Sequence, residues 1–340
     1  MTGSIAPTFR ALVRPAQPAG VAAAARPSYR ESVDQAVWAE SLGFGSAWVS
    51  EHHFTEDDYA SSPLTIAAAI GARTARMRVG TDIIVAGLHE PVRLAEDATS
   101  IGLLTGDRFD LGIGLGYHTS EFAAFGQVKQ RPSLLEDAIA IIRRAWSGSA
   151  ERYEGKRLSS PGQAVTPVPG RPPLLLVGAQ SEVGVRRAAR LADGVITLAN
   201  DHCAWYMDGI AEYGRDPVQA RIYASQWSIV AEDPERVWSQ IGKHVCYQLN
   251  KYIEWGSFES PGQPTNFPTT QSVLDAGCHW LMDASTAVDD LVSLVTAYPQ
   301  VRNLHYWAQF PGESVGSGSE RIQYFADKVI PRVAEKLGAK

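Results

Sequence analysis

The sequence predicts an α/β fold, a (β/α)₈ TIM barrel with insertions. Two observations support this prediction: short apolar segments of strand length alternate with longer segments of helical periodicity, and eight strands can be counted, nearly every one followed by a helix. The length of 340 residues also suits a barrel of about 250 residues enlarged by insertions. A doubly wound open sheet is the second architecture that agrees with the alternation.

The first half of the sequence contains four predicted strands, each followed by a predicted helix. Each predicted strand is a short apolar run, and most helices begin at or near a proline, which the first helical turn tolerates. Gly43 is a stop signal after the first helix. The predicted strands cover 8–13, 46–50, 78–85 and 108–113, and the predicted helices cover 27–42, 63–74, 91–104 and 133–146.

The second half continues the alternation after a segment rich in Gly, Pro and Ser. The predicted strands cover 174–177, 194–198, 222–230 and 303–307, and the predicted helices cover 181–191, 204–213, 234–252, 288–297 and 320–337. Segments 147–172 and 256–272 are predicted insertions. Because no internal repeat or linker interrupts the pattern, we expect one domain over residues 1–340.

Composition and charge narrow the class of partner. The chain has 31 Lys and Arg against 37 Asp and Glu, a net charge of −6, which argues against nucleic acid and anionic membranes as partners. Its three cysteines, Cys203, Cys246 and Cys278, show no metal-ligand spacing. No apolar run has the length of a membrane span. We expect a cytoplasmic protein that acts on a small molecule, with a homodimer as one option for its assembly.

Polar and Gly-rich residues follow four of the predicted strands, at the face of a barrel where active sites are built. His52 lies in segment 51–55, which follows the second predicted strand. Asp82 and Ile83 lie at the end of the third predicted strand. His118 ends the segment 114–118 after the fourth strand. The residues after the fifth strand are Gly178, Ala179, Gln180 and Ser181. The sequence therefore predicts that these side chains meet at one mouth.

His52 and His53 are the first candidates for chemistry. As neighbours on extended chain they point to opposite sides and cannot easily bind one metal ion, so we expect no metal site. One of them should face the mouth, where an imidazole can act as general acid or base. A hydrogen-bonded structural histidine is the alternative interpretation.

Two further patterns are compatible with a bound ligand. Glycines 112, 114 and 116 suit either the close approach of a flat ligand or a tight exit from the strand. The segment 178–181 precedes a helix, where backbone N–H groups can hold a phosphate, but Ser181 is also an ordinary helix N-cap. Arg131 is either a charge partner of that phosphate or a solvated surface residue.

Several ordered motifs resemble those of the bacterial luciferase-like flavin-dependent monooxygenases, particularly the catalytic luciferase subunit. The matching segments are 43–44, 48–54 (WVSEHHF), 79–81, 90–97 (EPVRLAED), 106–109 (GDRF), 111–114, 121–122, 125–126, 177–178, 188–194, 309–312 and 329–331. The resemblance spans nearly the whole chain and is weakest at 1–26 and 200–285.

The resemblance implies an enzyme that takes reduced FMN from a separate flavin reductase, reacts it with O₂ to a flavin C4a-peroxide, and oxygenates a small organic substrate. Another branch of the family uses a deazaflavin for hydride transfer, and the fold also occurs in a non-catalytic flavin-binding partner subunit. Segments 51–55 and 88–93 are more similar to the FMN branch.

The resemblance also implies roles for individual residues. His52 matches the catalytic histidine, and Asp82-Ile83 matches a non-prolyl cis peptide bond behind the flavin ring. Ser181 and its neighbours match the phosphate loop. Three positions differ from luciferase: Leu115 replaces a phosphate-binding arginine, Gly184 a threonine and Gly114 a reactive cysteine. Arg131 therefore gains importance for the phosphate, and light emission is not implied.

Overall fold

The computed structural model describes residues 8–10, 29–127, 131–198, 201–257 and 264–338. Its strands are β1 (Thr8–Arg10), β2 (Ser46–Val49), β3 (Arg78–Thr81), β4 (Ile84–Val85), β5 (Phe109–Gly114), β6 (Tyr153–Glu154), β7 (Ser159–Ser160), β8 (Leu174–Gly178), β9 (Gly194–Leu198), β10 (Ile222–Ser225), β11 (Ser228–Val230), β12 (Trp280–Met282) and β13 (Val301–Trp307). Its α-helices are α1 (Tyr29–Ser41), α2 (Pro63–Arg73), α3 (Pro91–Thr105), α4 (Thr119–Ala124), α5 (Arg131–Trp146), α6 (Glu182–Leu191), α7 (Asp201–Glu212), α8 (Pro234–Glu254), α9 (Thr270–Asp275), α10 (Ala284–Ala297), α11 (Val315–Lys328) and α12 (Ile330–Lys336).

Eight parallel strands form the wall of a barrel. Their order is β1, β13, β10, β9, β8, β5, β3, β2, and the two end strands of this order, β1 and β2, lie in contact. Consecutive barrel strands are neighbours in space, and helices connect most of them, as parallel pairing requires. The (β/α)₈ prediction is confirmed, and the open doubly wound alternative is wrong.

The strands are buried on both faces, which explains their continuous apolar sequence. All four residues of β2 and all six of β5 are buried, as in other parallel sheets covered by helices. Trp48 fills the barrel interior together with Leu176, Ile196 and Tyr223. A Cβ atom at Gly80 would lie 2.2 Å from the Trp48 ring, so only glycine leaves room for this indole.

Two predicted strands are interrupted where they reach the mouth. Segment 78–85 splits into β3 and β4, and Asp82 and Ile83, which a cis peptide bond joins, lie between them. Segment 222–230 splits into β10 and β11: the Gln226 amide still donates to His305 O at 2.9 Å, and the chain then leaves the wall so that β11 pairs with β12 in a separate two-stranded sheet. The single strands predicted for both segments are wrong.

The insertions and the C-terminus also differ in detail. Segment 147–172 contains the antiparallel pair β6 and β7, which is held to α5 because Asp137 accepts hydrogen bonds from the Arg157 and Leu158 amides at 2.6 and 2.9 Å. The final helix begins at Val315 rather than at 320, and it gives way to α12 after Lys328. Short elements α4, α9 and β12 were not predicted. Residues 11–13 of the first predicted strand and 258–263 of the second insertion lie outside the described residues.

Among the helices that the structure describes, none combines the length and the apolar character needed to cross a bilayer.

Candidate active site

A cavity of about 320 Å³ opens at the carboxyl ends of the barrel strands. Residues at or just after the ends of β2, β3, β5, β8, β9, β10 and β13 contribute to its lining. Seven residues that the sequence predicts for the site line this cavity: His52, Asp82, Ile83, Gly178, Ala179, Gln180 and Ser181. His118 and Arg131 are outside the lining.

His52 is held between a carboxylate and a phenol. Its Nδ1 lies 3.0 Å from Glu121 Oε1, and its Nε2 lies 3.0 Å from the Tyr117 hydroxyl. Burial raises the pKa of Glu121, but the hydrogen bond and charge of His52 outweigh this effect, so the pKa lies below its ordinary value. Glu121 is therefore a carboxylate that only accepts hydrogen bonds, and it keeps a proton on Nδ1 of His52.

His53 points to the other side of the chain, as the extended backbone predicts. Its Nε2 lies 3.0 Å from Glu51 Oε1, which also pairs with His89 Nε2 at 2.7 Å. Burial raises the pKa of Glu51, but hydrogen bonds from these two histidines lower it to about 2. A second buried carboxylate therefore supports the segment that carries His52.

His118 lies behind His52 rather than in the cavity. Its ring stacks on Trp255 with centroids 5.2 Å apart, and its Nδ1 lies 3.2 Å from Glu121 Oε1. One ligand atom from each of His52, His118 and Glu121 fits within 4.8 Å, a spacing that would suit a metal ion. Because Glu121 Oε1 already accepts hydrogen bonds from His52 Nδ1 and the His53 amide, we assign no metal to this cluster.

The cis peptide bond between Asp82 and Ile83, which the resemblance implies, is confirmed. The Ser50 hydroxyl donates to the Asp82 carbonyl oxygen, and Asp82 Oδ2 lies 3.0 Å from His305 Nδ1. The carboxylate is therefore fixed by a histidine on β13.

Ile83 explains two of the glycines at the strand ends. A Cβ atom at Gly178 would lie 2.5 Å from Ile83 Cγ2, and one at Gly114 would lie 2.9 Å from Ile83 Cδ1. A Cβ atom at Gly112 would meet the Thr81 carbonyl oxygen at 2.0 Å. These glycines therefore allow the close approach of neighbouring protein segments. This role differs from both sequence interpretations, the approach of a flat ligand and a tight exit from the strand.

The start of α6 has the features of an anion site. Ser181 is its N-cap, since its hydroxyl accepts the Gly184 amide at 3.3 Å. A Cβ atom at Gly184 would lie 3.0 Å from Ala179 Cβ, so glycine suits the tight corner where luciferase has threonine. The N–H groups of a first helical turn have no partner within the helix and can bind a phosphate.

Arg187 lines the cavity, although the sequence does not single it out. It lies on α6, six positions after Ser181, and it is the only arginine or lysine among the described residues of the lining. Its Nε donates to Glu136 Oε1 at 3.1 Å, which fixes the guanidinium at the edge of the cavity. Arg131 instead donates to the Gly116 carbonyl oxygen at 3.0 Å. Gly184, three residues before Arg187 on the same helix, also lines the cavity, and residues three apart are neighbours on one helix face.

Aromatic side chains form much of the remaining lining. They are Tyr59, Tyr117, Trp227, Tyr252 and Trp307. Tyr306, which precedes Trp307 on β13, points away from the cavity because successive residues of a strand face opposite sides. Its hydroxyl donates to Gln226 Oε1 at 2.9 Å, and its ring centroid lies 4.5 Å from that of Phe325.

Comparisons with known proteins give relatives of two chemical kinds. A curated F420-dependent glucose-6-phosphate dehydrogenase from Nakamurella multipartita is 29% identical over 198 residues, which span 56% of this chain and 58% of that relative. The chain thus matches little more than half the length of the curated relatives.

Two solved structures are similar over nearly the whole chain. The monooxygenase RslO1 from Streptomyces bottropensis has a TM-score of 0.78 at 19% identity and covers 95% of this chain and 99% of its own. The oxygenating constituent of 3,6-diketocamphane monooxygenase from Pseudomonas putida, a type II Baeyer-Villiger monooxygenase in complex with FMN, has a TM-score of 0.73 at 17% identity and covers 96% and 99%. At these identities the likeness concerns the fold. The sequence also matches the model of the luciferase-like monooxygenase family over residues 8–284, and the chain therefore belongs to that family.

Proposed function

We propose that this protein is an FMN-dependent monooxygenase, which uses reduced FMN from a separate reductase and O₂ to oxygenate a small organic substrate. The observation that carries the proposal is one cavity that combines the N-terminal end of α6, the strand end at Asp82-Ile83 and a buried His52–Glu121 pair. This set matches the phosphate, the ring and the reacting end of a flavin mononucleotide. FMN carries one terminal phosphate, and Arg187 offers one cation for it.

The described residues fit such a cofactor by their chemistry. The first N–H groups of α6 and the Arg187 guanidinium would hold the phosphate dianion. Ile83, which lines the cavity, would support one face of the ring and leave the other face for substrate. Bound reduced FMN would supply the two electrons that activate O₂.

The protein itself supplies proton control and the exclusion of water. Glu121 holds the Nδ1 proton of His52, so that Nε2 is the atom at which a proton is taken up or released. The aromatic lining lowers the access of water to the reacting groups. These are the tasks left to a protein whose cofactor performs the oxygen chemistry.

Hydride transfer to or from the deazaflavin F420 is the second candidate function. The curated relatives that favour it include the dehydrogenase of Nakamurella multipartita and an F420-dependent hydroxymycolic acid dehydrogenase from Mycobacterium tuberculosis, each 29% identical over little more than half of either chain. The same cavity and the same histidine would serve this reaction, because both cofactors share a tricyclic ring and a phosphate.

A direct comparison of the two cofactors tests the proposal. The purified protein is titrated with FMN and with F420 under anaerobic conditions, and O₂ is then admitted to the complexes of the reduced cofactors. We expect tighter binding of FMN and O₂ consumption by the complex with reduced FMN. Preferential binding of F420, with cofactor oxidation or reduction that needs no O₂, would establish the second candidate instead.

A further inference from the structure

The Tyr117 hydroxyl is hydrogen-bonded to His52 in the wall of the cavity that a ligand would occupy. Both ring nitrogens of His52 are engaged by protein groups, Nδ1 by Glu121 and Nε2 by the Tyr117 hydroxyl, each at 3.0 Å. Both residues line the cavity, but His52 is only 6% exposed whereas Tyr117 is half-buried. A ligand in the cavity can therefore reach the Tyr117 phenol, which is hydrogen-bonded to His52 Nε2.

The chain is fixed at its buried end. Glu121 is 0% exposed, and its Oε1 also accepts the His53 amide at 2.8 Å. The His52 ring is packed edge-on to Tyr59 and tilted against Trp255, with centroid distances of 4.7 Å in both cases. Ring rotation is restricted on these sides, so the order Glu121, His52, Tyr117 is built into the fold.

We propose that Tyr117 is the catalytic residue that contacts the substrate and that Tyr117, His52 and Glu121 form a proton relay. This inference rests on the proposed function and names the group that touches the substrate. A phenolic hydroxyl both donates and accepts a hydrogen bond, so it recognises the oxygen of a carbonyl or a hydroxyl group. His52 then acts through Tyr117.

The surroundings of Tyr117 define the class of substrate. The centroid of its ring lies 5.4 Å from the His52 ring centroid and 6.4 Å from the Tyr252 ring centroid. The described lining contains the carboxylates of Glu51 and Asp82, and the proposed function assigns its one arginine to the cofactor phosphate. An anionic substrate is disfavoured there, and the relay fits a neutral apolar molecule that carries a ketone or an alcohol oxygen.

The proton transfer balances without any further reactant. The substrate oxygen takes the hydroxyl proton of Tyr117, and the Tyr117 oxygen takes the Nε2 proton of a doubly protonated His52. His52 ends as neutral imidazole with its Nδ1 proton still donated to Glu121. One proton reaches the substrate and no electron moves, and the reverse sequence removes a proton from a substrate hydroxyl.

The first test needs no cofactor. Trp227 and Trp307 line the cavity, so quenching of intrinsic fluorescence reports on binding of cyclohexanone, methylcyclohexane and cyclohexanecarboxylate to the cofactor-free protein. We expect cyclohexanone to bind about two- to tenfold more tightly than methylcyclohexane, the value of one hydrogen bond. Tyr117→Phe should abolish this difference. Tyr306→Phe, which removes a buried phenol outside the lining, should preserve it.

A second measurement tests the relay itself. In the turnover assay, His52→Ala and Tyr117→Phe should each lower kcat, and the double variant should be no slower than His52→Ala, because two members of one relay are not additive. Three results would overturn the inference. They are effects on kcat that multiply in the double variant, a ketone preference that survives in Tyr117→Phe, and binding of cyclohexanecarboxylate as tight as that of cyclohexanone. Absence of any flavin turnover would refute the proposed function alone, since ketone binding is judged without cofactor.

Discussion

Replacing Arg187 by alanine tests whether this residue binds the phosphate of the proposed cofactor. The Arg187 side chain is 13% exposed and lies at the edge of the cavity. A hydrogen bond to a charged group is worth about 1.5 to 3 kcal/mol, which corresponds to about 13- to 160-fold in a dissociation constant. Glu136 neutralises part of the charge from 3.1 Å, so we expect the lower part of this range, roughly 10- to 30-fold weaker binding of FMN.

The assay compares FMN with riboflavin, which has the same ring and no phosphate. Quenching of flavin fluorescence during titration gives both dissociation constants, and Arg187→Ala should leave that of riboflavin within about twofold. Arg190→Ala is the matched control, because Arg190 lies on the same helix, pairs with the same Glu136 oxygen at 2.8 Å and is 43% exposed outside the lining. Equal weakening of FMN and riboflavin, or an equal effect of Arg190→Ala, would refute this reasoning.

Arg131→Ala distinguishes two assignments of the phosphate partner: Arg187, which lines the cavity, and Arg131, which the sequence suggests. The Arg131 guanidinium donates to the Gly116 carbonyl oxygen and lies 5.8 Å from the Phe122 ring centroid. We therefore expect this variant to affect FMN and riboflavin alike. A selective loss of FMN binding in Arg131→Ala, with none in Arg187→Ala, would return the phosphate to Arg131.

Three further predictions concern the proton-transfer residue, a buried acid and the barrel interior. His52→Ala should lower kcat by about 10²- to 10⁴-fold while flavin titration shows unchanged binding, and equal turnover would remove His52 from the mechanism. Because the pKa of Glu51 is lowered to about 2 in the folded protein, its stabilisation is complete above the ordinary value and is lost as pH falls from about 4 towards 2. Urea unfolding should thus show the parent losing about 2 kcal/mol more than Glu51→Gln over that range, and parallel losses would contradict the pKa. Gly80→Ala should lower the free energy of unfolding by about 1 to 3 kcal/mol, since its Cβ atom meets the Trp48 ring, and an unchanged urea midpoint would show that the barrel interior has spare room.

Much of the barrel could be predicted from sequence because its strands are buried on both faces. Segments such as 109–114 and 174–178 are almost continuously apolar, and this pattern is typical of parallel strands between helices. The pattern does not show where a strand leaves the wall. Residues 222–230 contain no glycine or proline that would mark a break, and only pairing with β12, some fifty residues later, separates β10 from β11.

The candidate site was predictable where it depends on strand ends. The carboxyl ends of barrel strands converge whatever their sequence, so His52, Asp82 and Gly178 could be placed at the mouth from topology. Arg187 and Tyr252 reach the same cavity from helices α6 and α8. Their helices have ordinary amphipathic sequences, and which residue meets the cavity depends on how each helix packs on the barrel.

The most direct test of the proposed function follows oxygen in the presence of a substrate. Reduced FMN is supplied by a separate reductase, and O₂ uptake and H₂O₂ release are measured together across a panel of neutral ketones and alcohols. We expect that at least one compound lowers H₂O₂ release while O₂ uptake continues, and that the missing oxygen atom is found in the product by ¹⁸O₂ labelling. Full recovery of the consumed O₂ as H₂O₂ with every compound, together with substrate-dependent reduction of F420, would contradict it.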